Sequence, residues 1–231
     1  MSELTFGLIG AGMIGGAHAR ALSEIEGVTI KYLADVRPEP AKKLAEATGI
    51  EQVVDDYKVV LADKAVDAVV ICTPPSLHYQ MTLDAIAAGK QILCEKPFAH
   101  TAAAGAEMVD AADKAGVVLA DCSARHARLQ PTYRTVKALI DDGKLGEVYL
   151  IKHHGRGRRG RPGIEYHPEA KWFLDRSKAV GGIAIDWGVY DFSLMFGLLG
   201  DSVEVTDVLG FAHTGVDNVD VGDNVFDVEE H

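Results

Sequence analysis

Gly10-Ala11-Gly12-Met13-Ile14-Gly15 follows the apolar run Leu4–Ile9 and opens an alanine-rich stretch with helical spacing, residues 13–26. A G-x-G-x-x-G hexamer set between a strand and a helix is the pattern of a dinucleotide-binding turn. The first glycine permits the tight turn, the second lets the backbone approach a pyrophosphate, and the third lets the helix pack closely on the strand. The new helix presents its N–H groups and the positive end of its dipole to the phosphates. Asp35 ends the next apolar run, Val28–Ala34, about 20 residues after the last glycine, where an acidic residue receives the ribose hydroxyls. A carboxylate there repels a 2′-phosphate and favours NAD over NADP. Arg37, two residues on, pulls the other way by pairing with that phosphate. Gly10, Gly12, Met13, Ile14, Gly15, Asp35 and Arg37 are therefore the expected contacts of an NAD-type cofactor, with NADP left open.

Outward from this turn, strand and helix signals alternate. A helix is expected from Pro38 to Thr48, ended by Gly49, then an apolar strand at 65–72. A helix over 76–88 stops at Gly89, Gln91–Cys94 is a strand, 101–115 a helix and 116–120 a strand. The strands are continuous apolar runs, as a parallel sheet covered on both faces requires. The fold class is α/β, with an N-terminal doubly wound Rossmann sheet over residues 1–122. The pattern changes beyond Cys122, and residues 123–231 read as a second, α+β domain. There a helix is expected at 131–142, strands at 147–153 and 203–211, and a strongly apolar helix at 186–199. A basic, glycine-rich loop at 155–163 and a tail without Lys or Arg after Asp201 stand out. The basic stretch 153–161 suits an acidic sugar, a phosphate or an acidic protein surface, with a solvated loop as the default.

The net charge of -11 argues against nucleic acid and against anionic membrane surfaces as partners. The N-terminus lacks the positive region of a signal peptide and no apolar run is long enough to span a bilayer, so a cytoplasmic protein is expected. Three cysteines fit neither a disulfide framework nor a zinc spacing, and no metal is expected. Cys72, Cys94 and Cys122 each close an expected strand, on the side of the sheet where such folds bind ligands.

Thr73-Pro74-Pro75-Ser76-Leu77-His78, Ala88-Gly89-Lys90 and Cys94-Glu95-Lys96-Pro97, together with Gly10–Gly15 followed by His18, resemble the Gfo/Idh/MocA oxidoreductases. Gly181-Gly182 and Asp186-Trp187-Gly188-Val189-Tyr190 resemble that family's second-domain motif. The prolines fix an extended loop at the strand ends, where the nicotinamide half of a cofactor would run. Cys72, Thr73, Pro74, Pro75, His78, Glu95 and Lys96 thereby join the expected cofactor contacts. A lysine in such a crevice suits acid–base work, because partial desolvation brings its pKa toward neutrality. Glu95 would hold that lysine in place or restrain its charge.

The resemblance implies a cis peptide at Lys96–Pro97. It also implies proton transfer by Lys96 while hydride passes between a sugar carbon and nicotinamide, with Asp186 orienting the substrate hydroxyl. Many members carry His where this chain has Tyr190, and some branches use Tyr. On one continuous helix Asp186 and Tyr190 share a face. His18 and His78 are expected to shape loops, and Arg125 and His126 to serve where the chain passes between domains.

The implied activity is that of an NAD(P)-dependent dehydrogenase or reductase of a sugar, sugar acid or polyol. Alternatives are a glycoside hydrolase using transient oxidation by tightly held NAD, and a catalytically silent NAD(H)-binding regulator. Family members carry a large, mostly antiparallel sheet in the second domain, which often forms the oligomer interface. With two expected strands of that sheet, this chain reads as truncated at the C-terminus or as a natural short form, with a homo-oligomer expected of the full-length form.

Overall fold

The computed structural model describes residues 3–154, 167–168, 170–179, 182–200 and 203–211. The basic loop at 155–163, Gly181 and most of the Lys- and Arg-free tail lie outside these residues. The chain divides into two compact units, Met1–Cys122 and Ser123–His231.

Short apolar runs in the first unit become strands: the central ones bury side chains on both faces, while Gln52–Val54 and Leu119–Asp121 close the two edges and stay largely exposed. The strands are β1 (Leu4–Ile9), β2 (Val28–Ala34), β3 (Gln52–Val54), β4 (Ala68–Ile71), β5 (Gln91–Cys94) and β6 (Leu119–Asp121). All pairings are parallel, in the order β3-β2-β1-β4-β5-β6. The order reverses between β1 and β4, and in open sheets of this kind ligands lie at that switch point, outside the carboxyl ends of the strands.

Alternate residues feed two apolar layers. Leu8, Leu33 and Val70 meet Ala19 of α1 (Met13–Ser23) and Ala41 and Ala45 of α2 (Pro38–Thr48) on one face. Ile9, Val69, Ile71 and Ile92 meet Val60 of α3 (Tyr57–Ala62), Ile86 of α4 (His78–Ala87) and Ala112 of α5 (Ala102–Ala115) on the other. All four residues of β4 are buried, and each fully buried Val or Ile contributes about 1.5–3 kcal/mol.

The strand expected at 65–72 contracts to β4 because Asp63, Ala65 and Val66 form a turn instead. The Asp63 carboxylate accepts from the Ala65 amide at 2.8 Å, from Lys31 Nζ at 2.6 Å and from the Tyr32 hydroxyl at 2.9 Å. Lys90, 5% exposed, donates to the Asp63 and Val66 carbonyls at 2.7 and 2.8 Å and closes the same turn. The expected helix at 76–88 begins as a 3-10 turn at Pro75–Leu77 before α4 starts. β3 and α3 were not foreseen. α3 starts where the Asp56 side chain caps the Lys58 amide at 2.9 Å.

The described part of the second unit is helical. It comprises α6 (Pro131–Asp141), a 3-10 turn at Lys171–Leu174, α7 (Arg176–Ala179), α8 (Gly182–Asp186) and α9 (Gly188–Leu199). Tyr133 of α6 donates to the Gly197 carbonyl of α9 at 3.0 Å. The expected helix 186–199 is divided at Trp187, a turn residue between the end of α8 and Gly188, the first residue of α9. No strand forms at 147–153 or 203–211, and among the described residues the second unit has no antiparallel ladder. A strand exists only with a partner for its backbone groups, and apolar composition at 203–211 does not supply one. No helix among the described residues is long and apolar enough to cross a membrane.

The Lys31 hydrogen bond, then the Ala65 amide and Tyr32 hydroxyl, hold the Asp63 carboxyl down at about 2, against about 3.9 in an unfolded chain. A depressed carboxyl stabilises the fold above its unfolded pKa, and that contribution disappears as pH falls through the folded pKa. The urea midpoint of the wild type should therefore fall between about pH 4 and pH 2 more steeply than that of Asp63→Asn. Parallel pH profiles for the two proteins would contradict this.

Candidate functional site

The glycine turn sits at the switch point, and its three glycines are required for different reasons. Gly10 has φ +107°, and a Cβ there would lie 2.7 Å from the Cys72 carbonyl oxygen. A Cβ on Gly15 would lie 2.0 Å from the Gly10 carbonyl oxygen, so the approach of α1 to the turn demands glycine. Gly12 differs. Its backbone is extended, at φ -76° and ψ -175°, which any residue adopts, and a Cβ there would meet no atom within 4 Å. Nothing within the described fold requires glycine at this position. A dinucleotide pyrophosphate lying against the backbone would require it. The N-cap residue, Gly12, has no side chain to cap α1, and no acidic residue occupies the helix's first turn, which keeps negative side-chain charge away from this end. Met13 is half exposed at the mouth of the turn, while Ile14 packs into the apolar layer beneath it.

Asp35 ties the end of β2 to this turn. Its Oδ2 accepts from the Ala11 amide at 2.7 Å, and its Oδ1 accepts from the Arg37 amide at 2.8 Å. The Arg37 guanidinium donates to both oxygens at 3.1 Å. Burial raises the carboxyl pKa, but the Arg37 side chain and the two amides outweigh it and hold Asp35 below its ordinary value. Asp35 is thus a fixed anion beside the turn, with the Arg37 side chain on its solvent side, 57% exposed.

The loops after β4 and β5 are held by two histidines. His78 is fully buried, with Nδ1 2.8 Å from the Pro97 carbonyl oxygen and Nε2 2.9 Å from that of Thr73. Pro74 is extended and Pro75 is buried. Glu95 is 3% exposed and divides its oxygens: Oε2 accepts from the Lys96 amide at 3.0 Å, and Oε1 lies 2.8 Å from His18 Nε2 of α1. The Lys96–Pro97 peptide is cis. Glu95 therefore holds the Lys96 backbone, and His18 is its partner. The sequence placed His18 only as a loop-shaping residue.

Cys72, Cys94 and Cys122 lie at the ends of β4, β5 and β6 and are all buried. Burial pushes the Cys94 thiol up to about 12, which makes it a poor nucleophile. Donor atoms of Cys122, His18 and Glu95 lie within 4.8 Å of one another, a grouping the sequence spacing did not reveal.

In the second unit, Tyr190 is 5% exposed and its hydroxyl accepts from Arg125 Nη2 at 2.6 Å. The His126 ring meets Tyr190 edge-on at 4.9 Å, and the Trp187 ring lies 5.5 Å away. Arg125 and His126 are thus the framework around Tyr190. Asp186 closes α8, one residue before the division at Trp187, so Asp186 and Tyr190 belong to successive helices rather than to one.

Residues 4–121 match the family model described as oxidoreductase family, NAD-binding Rossmann fold, and residues 133–228 match the Gfo/Idh/MocA C-terminal domain model. The inositol 2-dehydrogenase of Rhizobium meliloti is 36% identical over 207 residues, covering 87% of this chain and 57% of the relative. The 1,5-anhydro-D-fructose reductase of Ensifer adhaerens is 32% identical over 227 residues, covering 94% and 63%. The crystal structure of GenD2 from gentamicin A biosynthesis, in complex with NAD, aligns with a TM-score of 0.71 at 26% identity, covering 87% of this chain and 54% of that one. The chain thus spans less than two thirds of the length of these relatives. It belongs to the Gfo/Idh/MocA family of NAD-binding oxidoreductases.

Proposed function

We propose that the protein is an NAD-dependent oxidoreductase acting on a hydroxyl or carbonyl carbon of a sugar, sugar acid or polyol. The observation that carries this is Gly12, a glycine that the fold does not need and a bound pyrophosphate does. Gly10, Gly12, Met13, Ile14 and Gly15 form the phosphate turn, and Asp35 with Arg37 faces the adenosine ribose. Cys72, Thr73, Pro74, Pro75, His78, Glu95 and Lys96 line the strand ends on the nicotinamide side. NAD supplies the hydride acceptor or donor when bound, and the protein supplies orientation and proton handling. Lys96 carries the substrate proton as general acid or base. Its backbone is fixed by the buried Glu95 carboxylate, so the lysine stem departs from a defined point. Asp186 and Tyr190 orient the substrate oxygen, and the Arg125 contact holds the Tyr190 hydroxyl in one position. Relatives named as inositol 2-dehydrogenase, D-glucoside 3-dehydrogenase and 1,5-anhydro-D-fructose reductase support a cyclic polyhydroxylated substrate.

Two alanine substitutions separate cofactor binding from folding. Gly12→Ala should leave the thermal midpoint unchanged or slightly raised. It should weaken NADH about tenfold or more, equivalent to ~1.4 kcal/mol. Gly15→Ala should destabilise the fold by about 1–3 kcal/mol through the clash with the Gly10 carbonyl. Unaltered NADH affinity in Gly12→Ala would remove the central support for the cofactor site. In a screen of sugars and polyols, Lys96→Ala should lower turnover about a hundredfold to ten-thousandfold while still binding NADH. Retained turnover would exclude Lys96 as the acid or base.

A further inference from the structure

His78 has two ring nitrogens and two neighbours of one kind. Nδ1 faces the Pro97 carbonyl oxygen at 2.8 Å and Nε2 faces the Thr73 carbonyl oxygen at 2.9 Å. Carbonyl oxygens only accept. A neutral imidazole has one N–H and one lone pair, whereas the imidazolium has two N–H groups. In a neutral ring, whichever nitrogen lacks the proton would turn its lone pair toward an oxygen less than 3 Å away. That contact is repulsive, and the ring is fully buried, so water cannot relieve it. Only the doubly protonated ring satisfies both neighbours.

The opposing influence is burial, which disfavours charge and is the largest influence on the ring, drawing its pKa below the ordinary histidine value. The two short contacts to carbonyl oxygens, which a neutral ring cannot both satisfy, weigh against it. Lys96 also opposes the cation, as does the N-terminal end of α4, which His78 begins. The two carbonyls and the Glu95 carboxylate favour it.

We propose that His78 is an imidazolium, protonated on both ring nitrogens, that clamps the Thr73 loop to the Lys96–Pro97 segment. Thr73 opens the loop after β4, and Pro97 adjoins Lys96. The clamp therefore sets the distance between the two chain segments that line the strand ends. His78 is a positioning residue, and its importance for catalysis rests on the oxidoreductase function proposed above. Its charge state does not.

Nitrogen-15 spectroscopy of the histidine rings in the full chain, without cofactor, tests the clamp. At neutral pH the His78 ring should show two protonated nitrogens. Its N–H signals should outlast those of exposed histidines in solvent exchange, and they are told apart from those of His18, the other histidine held at this site, by persisting in His18→Gln. A ring with one protonated and one lone-pair nitrogen would overturn the proposal. A cationic ring in a protein that fails to bind NADH would uphold the clamp and count against the cofactor site alone.

Discussion

The hydrogen bond from the Ala11 amide to the Asp35 carboxylate, 2.7 Å long, is the constraint from which the cofactor half of the molecule follows. It joins the end of β2 to the glycine turn after β1. With the carboxylate in place, the turn cannot swing away from the sheet, and α1 must start where Gly15 meets the Gly10 carbonyl. Gly12, where among the described residues an added Cβ would meet nothing, and the start of α1 are then presented together at the switch point between β1 and β4. Asp35 acts both as a brace and as a fixed negative charge. A buried charge used this way needs partners, and the two amides and the Arg37 guanidinium provide them.

The Arg37 side chain has a second consequence. It donates to both oxygens of Asp35 on the side open to solvent. A ribose hydroxyl approaching Asp35 from that side competes with the guanidinium, a group that can also meet a phosphate. On the cofactor contacts proposed above, preference between NAD and NADP would depend on a balance between two residues already bonded to each other, rather than on Asp35 alone. A second buried carboxylate, Glu95, plays a parallel part at β5, dividing its oxygens between the Lys96 backbone and His18 of the cofactor helix. The phosphate turn and the lysine segment are thus linked through α1.

The glycine turn, Asp35 and the parallel sheet were legible in the sequence because each rests on neighbouring residues or on a local apolar period. The contacts that hold the site were not. His18 and Glu95 are 77 positions apart, and Arg125 and Tyr190 are 65 apart. Nothing local marks such pairs before the fold brings them together. β3 and α3 were missed because three and six residues carry too little period to detect. At 203–211 the opposite error arose: a β-prone composition suggested a strand, but a strand depends on its partner's backbone, which composition does not reveal. The division at Trp187 escaped because the apolar pattern continues across it.

The most direct test of the account is a titration with NADH and with NADPH, followed by energy transfer from protein to nicotinamide, on the wild type and on Asp35→Ala. Tighter binding of NADH than of NADPH by the wild type, with the preference collapsing in the variant, is the predicted result. Equal affinity for both cofactors in the wild type, or a preference that survives loss of the carboxylate, would contradict the role assigned to Asp35.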